Sequence, residues 1–107
     1  MTDDSQFYAV TANLPESAVE SYVQWLRESH LQEMIVAGAL EARMVVYPAM
    51  PDCTRDVETQ YLFQDEAAFR VYEERHAPRL RAEGMRLFGS IAGVRFSRRL
   101  GMLRTWN

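Results

Sequence analysis

An α+β domain with two helices on one face of a four-stranded antiparallel sheet is the fold this 107-residue sequence predicts. Three observations predict it. Apolar residues alternate with a period of two in four stretches, which is the strand pattern, and recur every three or four residues in two others, which is the helical one. Pro, Gly and Asp fall between these stretches. The order is strand, helix, strand, strand, helix, strand, without internal repeats, so residues 1–107 form a single domain.

The first strand is predicted over Gln6–Asn13, with Tyr8, Val10 and Ala12 on one face and Ala9, Thr11 and Asn13 on the other. Pro15 suits the first position of a helix, and Val19, Tyr22, Val23 and Leu26 form its apolar stripe from Pro15 to Ser29 or beyond. Gly38 ends the continuation with a left-handed cap. Strand two follows as Leu40–Tyr47, and Pro48–Asp56, with its two prolines, is a loop leading into strand three at Val57–Gln64. Asp65 caps a second helix whose inner face carries Phe69, Tyr72 and His76. Pro78 breaks that helix at His76-Ala77-Pro78 and restarts it over Arg79–Gly84. Alternation over Phe88–Arg98 predicts strand four, leaving Leu100–Asn107 as a tail whose Trp106 should pack on something. This is the ferredoxin-like arrangement. Its uncovered sheet face would carry Val45, Tyr47, Ile91, Tyr61 and Phe63, and a homodimer with the sheets facing each other is the simplest way to cover them.

Composition excludes several functions. At 48% apolar and 25% charged residues the chain is an ordinary globular one. A net charge of -3 and a pI near 5.3 give no attraction for nucleic acid or anionic lipid. All 12 basic residues are Arg, so Schiff-base chemistry on Lys is excluded. Cys53 stands alone and cannot form a disulfide within the chain. With no basic, apolar leader at Met1-Thr2-Asp3-Asp4 and no spanning apolar run, the expectation is a cytoplasmic protein off the membrane.

Three segments carry a family resemblance: Tyr8-Ala9-Val10-Thr11-Ala12-Asn13; Trp25-Leu26 with His30-Leu31-Gln32-Glu33-Met34 and Gly38; and His76-Ala77-Pro78-Arg79-Leu80-Arg81 with Phe88-Gly89. Together they resemble a family of short bacterial proteins known as a domain of unknown function and similar to the dimeric α+β barrel superfamily. The resemblance implies a ferredoxin-like fold and a homodimer, and no activity, cofactor or catalytic residue. That family commonly has Pro two residues after the first His; Gln32 stands there in this chain, which implies a softer bend.

His76 and His30 are the candidate catalytic residues, since imidazole titrates near neutrality. Both equally suit caps on helix C-termini. Arg43 and Arg95, with Thr11, are candidates to hold a carboxylate or enolate by forked hydrogen bonds; Arg43 and Arg95 are equally suited to pairing with Glu41 and Glu58 across strands. Tyr8 and Tyr61 could add hydroxyls to the same chamber between sheet and partner. No cofactor or metal is implied: the two His lack ligand spacing. Two functions stand side by side, a small-molecule-binding homodimer that could transfer a proton and a non-catalytic interaction module with a filled interior. An interior under a few tens of Å³ favours the module, and roughly 300 Å³ lined by Arg and Tyr favours a ligand site.

Overall fold

The structure, a computed structural model, describes residues 4–104 and 106. Strand β1 spans Ser5–Pro15 and leads directly into helix α1, Glu16–Trp25. The helix widens into one π turn at Leu26–His30 and narrows again as α2, Leu31–Val36. Gly38 then takes φ 120°, the left-handed conformation open to a residue without Cβ, and its N–H bonds the Ile35 carbonyl at 3.1 Å. Strands β2 (Glu41–Val46) and β3 (Thr54–Phe63) follow as a hairpin. Asp65 caps α3, Glu66–Arg75, by accepting from the Ala68 N–H at 2.8 Å. The chain breaks at His76, and α4 restarts at Ala77–Phe88 with Pro78 in its first turn, where a missing N–H is harmless. Strand β4 is Arg95–Leu103. Among the described residues no helix is long and apolar enough to cross a membrane.

The four strands form one antiparallel sheet in the order β2-β3-β1-β4, the ferredoxin-like topology expected. Tyr8 pairs with Tyr61 and Ala12 with Val57 and Phe96, so alternation sends these residues to the helix side. There Leu14, Val57, Tyr61 and Phe63 are fully buried against Leu26, Met34 and Leu80. Each such aliphatic or aromatic side chain contributes on the order of 2 kcal/mol by leaving water. Aromatic rings knit the layers: Tyr8 lies 5.1 Å from Phe69, and Tyr22 meets Phe88 edge-on at 5.1 Å, centroid to centroid.

Two expectations are corrected. Phe88 to Val94 is no strand: Phe88 completes the helical stripe of Ala77 and Leu80, and residues 89–94 turn, with Gly93 at φ 87°. The strand instead begins at Arg95 and absorbs Leu100–Leu103 of the expected tail, because β1 starts early enough to pair Ser5 with Leu103. The uncovered sheet face is also less apolar than expected. Tyr61 and Phe63 lie under the helices and Ile91 packs on the core from the turn. What remains by alternation is Phe7, Ala9, Val45, Leu62 and Leu103 among Thr11, Asn13, Glu58, Gln60, Arg43, Arg95 and Arg99. Trp106 is 95% exposed in the single chain.

Candidate functional site

The predicted site residues divide three ways. Thr11, Arg43 and Arg95 do lie on the uncovered face. Arg43 sits on β2 and Arg95 on β4, the two edges of the sheet, so three strand spacings of about 4.8 Å separate their backbones and they cannot fork one small ligand. Neither pairs with Glu41 or Glu58. Glu58 instead accepts from Thr11 (3.4 Å), Tyr47 (3.2 Å) and Gln60 (2.8 Å). His76 stands at the break between α3 and α4, half-buried and outside the lining of the cavity between sheet and helices. The backbone leaves the helical conformation at His76 itself (φ -122°), while its N–H still bonds the Tyr72 carbonyl at 2.9 Å.

Tyr8, Tyr61 and His30 converge, on the opposite side of the sheet from the chamber expected. They line a cavity of about 50 Å³ between sheet and helices, together with Tyr22, Trp25, Met34, Tyr72, Arg81, Gly84 and Arg98. The π turn brings His30 there. In an α-helix, residues five apart point about 140° away from each other. Widening the turn, so that the Leu31 N–H reaches back to the Leu26 carbonyl, lets His30 stack on Trp25 with ring centroids 4.5 Å apart at 22°. Single π turns recur at functional sites for this reason: they re-aim one side chain without ending the helix. The edge of His30 meets Tyr61 at 6.4 Å and 80°.

The cavity lining includes two arginines. Tyr8 Oη accepts from Arg81 Nη2 at 3.2 Å and from Arg98 Nε at 3.1 Å. Glu73 balances Arg81 at 2.5 Å, whereas among the described residues no carboxylate pairs with Arg98. Three atoms of lining residues, His30 Nδ1, Tyr61 Oη and Arg81 Nε, are buried without a hydrogen-bond partner. The Thr59 hydroxyl beside Tyr61 directs its own proton to the Val10 carbonyl at 3.3 Å.

Electrostatics follow from this burial. Desolvation lowers the His30 pKa from 6.5 to about 4, with Glu33 opposing, so the imidazole is neutral near pH 7. Burial pushes the Tyr61 and Tyr22 hydroxyls well above the ordinary phenol range, Arg98 offsetting part of it for Tyr22. Tyr72 is raised in the same way, with Tyr8 adding to it. These phenols are therefore neutral hydrogen-bonding groups. At neutral pH the positive charge at the cavity is that of Arg81 and Arg98.

Arg81, Arg98, Tyr22, Trp25 and Tyr72 were not singled out from the sequence as site residues. Arg98 shares a face with Phe96 and Leu100, and only the register of β4 against β1 sets it beside Tyr8. Arg81 follows Ala77 by four residues on the inner stripe of α4.

A four-stranded antiparallel sheet of this order, covered on one face by helices that enclose a polar cavity, defines a ferredoxin-like α+β protein. Solved structures agree on the fold. A dimeric ferredoxin-like protein from an uncultured marine organism matches with a TM-score of 0.60 at 16% identity, over 96% of this chain and 99% of that one. A second dimeric ferredoxin-like protein from an uncultured marine organism matches with a TM-score of 0.56 at 12% identity, over 100% of this chain and 92% of that one. The de novo designed protein Foldit4 is similar too, with a TM-score of 0.64 at 14% identity over 94% of this chain and 99% of the design. No curated protein matches the chain. The chain belongs to the family described as Domain of unknown function (DUF4286), whose pattern matches residues 5–101.

Proposed function

We propose that this domain is a homodimeric small-molecule-binding protein whose pocket is the helix-side cavity. One observation carries the pocket: His30 Nδ1, Tyr61 Oη and Arg81 Nε are all buried without partners, and the three residues that bear them line one cavity. Leaving each such group unsatisfied costs on the order of 1–3 kcal/mol, so a guest supplying the missing hydrogen bonds explains their coincidence. At about 50 Å³ the cavity falls near the small end of the range that separates a filled module from a ligand site. The guest is therefore small. His30, neutral and in the cavity, is the base available to exchange a proton with it; His76 is not among the lining residues.

Two lines support the homodimer. Two structural neighbours are described as dimeric, and on the uncovered sheet face the register sets Phe7 of β1 beside Leu62 of β3 as an apolar block that is only half-buried in the single chain. Sheet-to-sheet pairing would cover this block under one two-fold axis.

Native mass spectrometry of freshly purified protein tests both parts. A dimer carrying a small co-purified mass, lost on partial denaturation, is the expected result. A bare monomer overturns the dimer, and a dimer that neither retains nor takes up any small molecule favours the alternative of a non-catalytic interaction module whose cavity holds only water.

A further inference from the structure

We propose that the ligand is a short monocarboxylate, of formate to propionate size, held through its anionic end by Arg98. This rests on the helix-side cavity being a ligand pocket at all, and adds the charge and size of what enters it. Arg81 and Arg98 both reach the cavity and both donate to a single acceptor, Tyr8 Oη, at 3.2 and 3.1 Å. Glu73 neutralises Arg81. Arg98 has no carboxylate among the described residues, so the phenol oxygen leaves most of its guanidinium fork without an acceptor. A guanidinium fork matches a carboxylate in shape and charge, and such pairs are stronger than hydrogen bonds between neutral groups.

The far end sets the rest of the ligand. Tyr61 and His30 line the cavity and are both neutral near pH 7, so they add hydrogen-bonding partners for the second carboxylate oxygen without adding charge. Trp25, stacked on His30, and Met34 line the same cavity, which suits a short hydrocarbon tail. Size limits that tail. About 50 Å³ lies far below the ~300 Å³ at which drug-sized ligand pockets begin, so only a ligand of a few heavy atoms fits. A neutral cavity of the same volume would take up water or a small alcohol as readily; the unbalanced Arg98 is what selects an anion.

NMR titration of the isotope-labelled protein with sodium acetate, at constant ionic strength set with sodium chloride, tests the proposal. For a ligand of four heavy atoms the Kd should be no tighter than about 40 µM, so the titration extends into the millimolar range. The expected result is saturable shifts at His30 and Tyr61 with acetate, at least tenfold weaker with acetamide and with hexanoate. Arg98→Gln should weaken acetate by about ten- to a hundredfold. Arg99→Gln, the same charge change one residue on and on the opposite face of β4, should leave it unaltered. Equal binding of acetamide and acetate overturns the anionic ligand while leaving the pocket intact. Equal losses in Arg98→Gln and Arg99→Gln overturn Arg98 as the anchor, since net charge alone would explain them. Hexanoate binding as well as acetate overturns the size limit. Absence of saturable shifts at His30 and Tyr61 with acetate, acetamide and hexanoate overturns the pocket and the ligand class together.

Discussion

Protonating His30 should destabilise the fold, and the size of the effect can be worked from its surroundings. The imidazole stacks on Trp25 from α1, presents its edge to Tyr61 from β3, and has Nδ1 buried without a partner. Glu33 from α2 favours the charged form, but that carboxylate is already held by Arg79 from α4 at 2.8 Å and touched by Ser29 at 3.5 Å. Desolvation wins, and the folded pKa falls from 6.5 to about 4. Above pH 6.5 folded and unfolded chains both carry neutral His30, and stability is complete. Between pH 6.5 and 4 the unfolded chain takes up a proton that the folded chain refuses, so stability declines as the pH falls. Below pH 4 both forms are protonated and the loss reaches its full value of about 3 kcal/mol. Carboxylates titrate over the same window, which makes the comparison with His30→Gln necessary. Urea unfolding followed by circular dichroism at fixed protein concentration should show the stability difference between wild type and His30→Gln shifting by about 3 kcal/mol toward the variant from pH 7.5 to pH 4. A difference that stays constant across this range would mean that His30 is solvated, and would refute its place in the cavity wall.

Three further outcomes follow from the same geometry. Tyr61→Phe removes a buried hydroxyl without a partner, so the ligand-free protein should gain up to about 1 kcal/mol in urea unfolding while acetate affinity falls; a clear loss of stability would mean that the hydroxyl is already satisfied. Gly84 lies in the interior of α4, where a Cβ would meet Trp25 at an ordinary 3.5 Å. Gly84→Ala should therefore raise stability by about 0.5–1 kcal/mol and narrow the cavity enough to weaken acetate in the NMR titration; unchanged acetate affinity would show that the ligand does not reach that wall. Leu62→Arg, on the uncovered sheet face, should give a folded monomer by light scattering where the wild type gives a dimer, and a dimer of unchanged affinity would move the interface elsewhere.

What the sequence made legible was whatever local chemistry decides. Pro78 predicted the helix break because proline cannot continue the hydrogen-bonded ladder, Gly38 predicted its own left-handed cap, and Asp65 its own N-cap. The βαββαβ order followed from those boundaries. Strand four was misplaced because alternation over a few residues is weak evidence: Phe88 belongs equally to the helical stripe of Ala77 and Leu80, and only pairing with β1 decides where β4 runs. Arg98 lay inside the predicted strand on the face of Phe96, but only the register against β1 sets it beside Tyr8. Tyr8, Tyr61 and His30 were identified, yet on the wrong side of the sheet for the two tyrosines, since a strand with aromatic residues on both faces does not reveal which face meets the helices. The π turn had no local signature, because the stacking of Trp25 on His30 that accompanies it exists only once the helix has packed.

The central claim is that the space enclosed by Tyr8, His30, Tyr61, Arg81 and Arg98 admits a small anion. A high-resolution crystal structure of protein equilibrated with bromoacetate, using the anomalous signal of bromine, tests it most directly. The account predicts a bromine peak beside Trp25 and Met34, with a carboxylate within hydrogen-bonding distance of Arg98. Bromine found only on the outer surface, with water or nothing between the helices and the sheet, would contradict it.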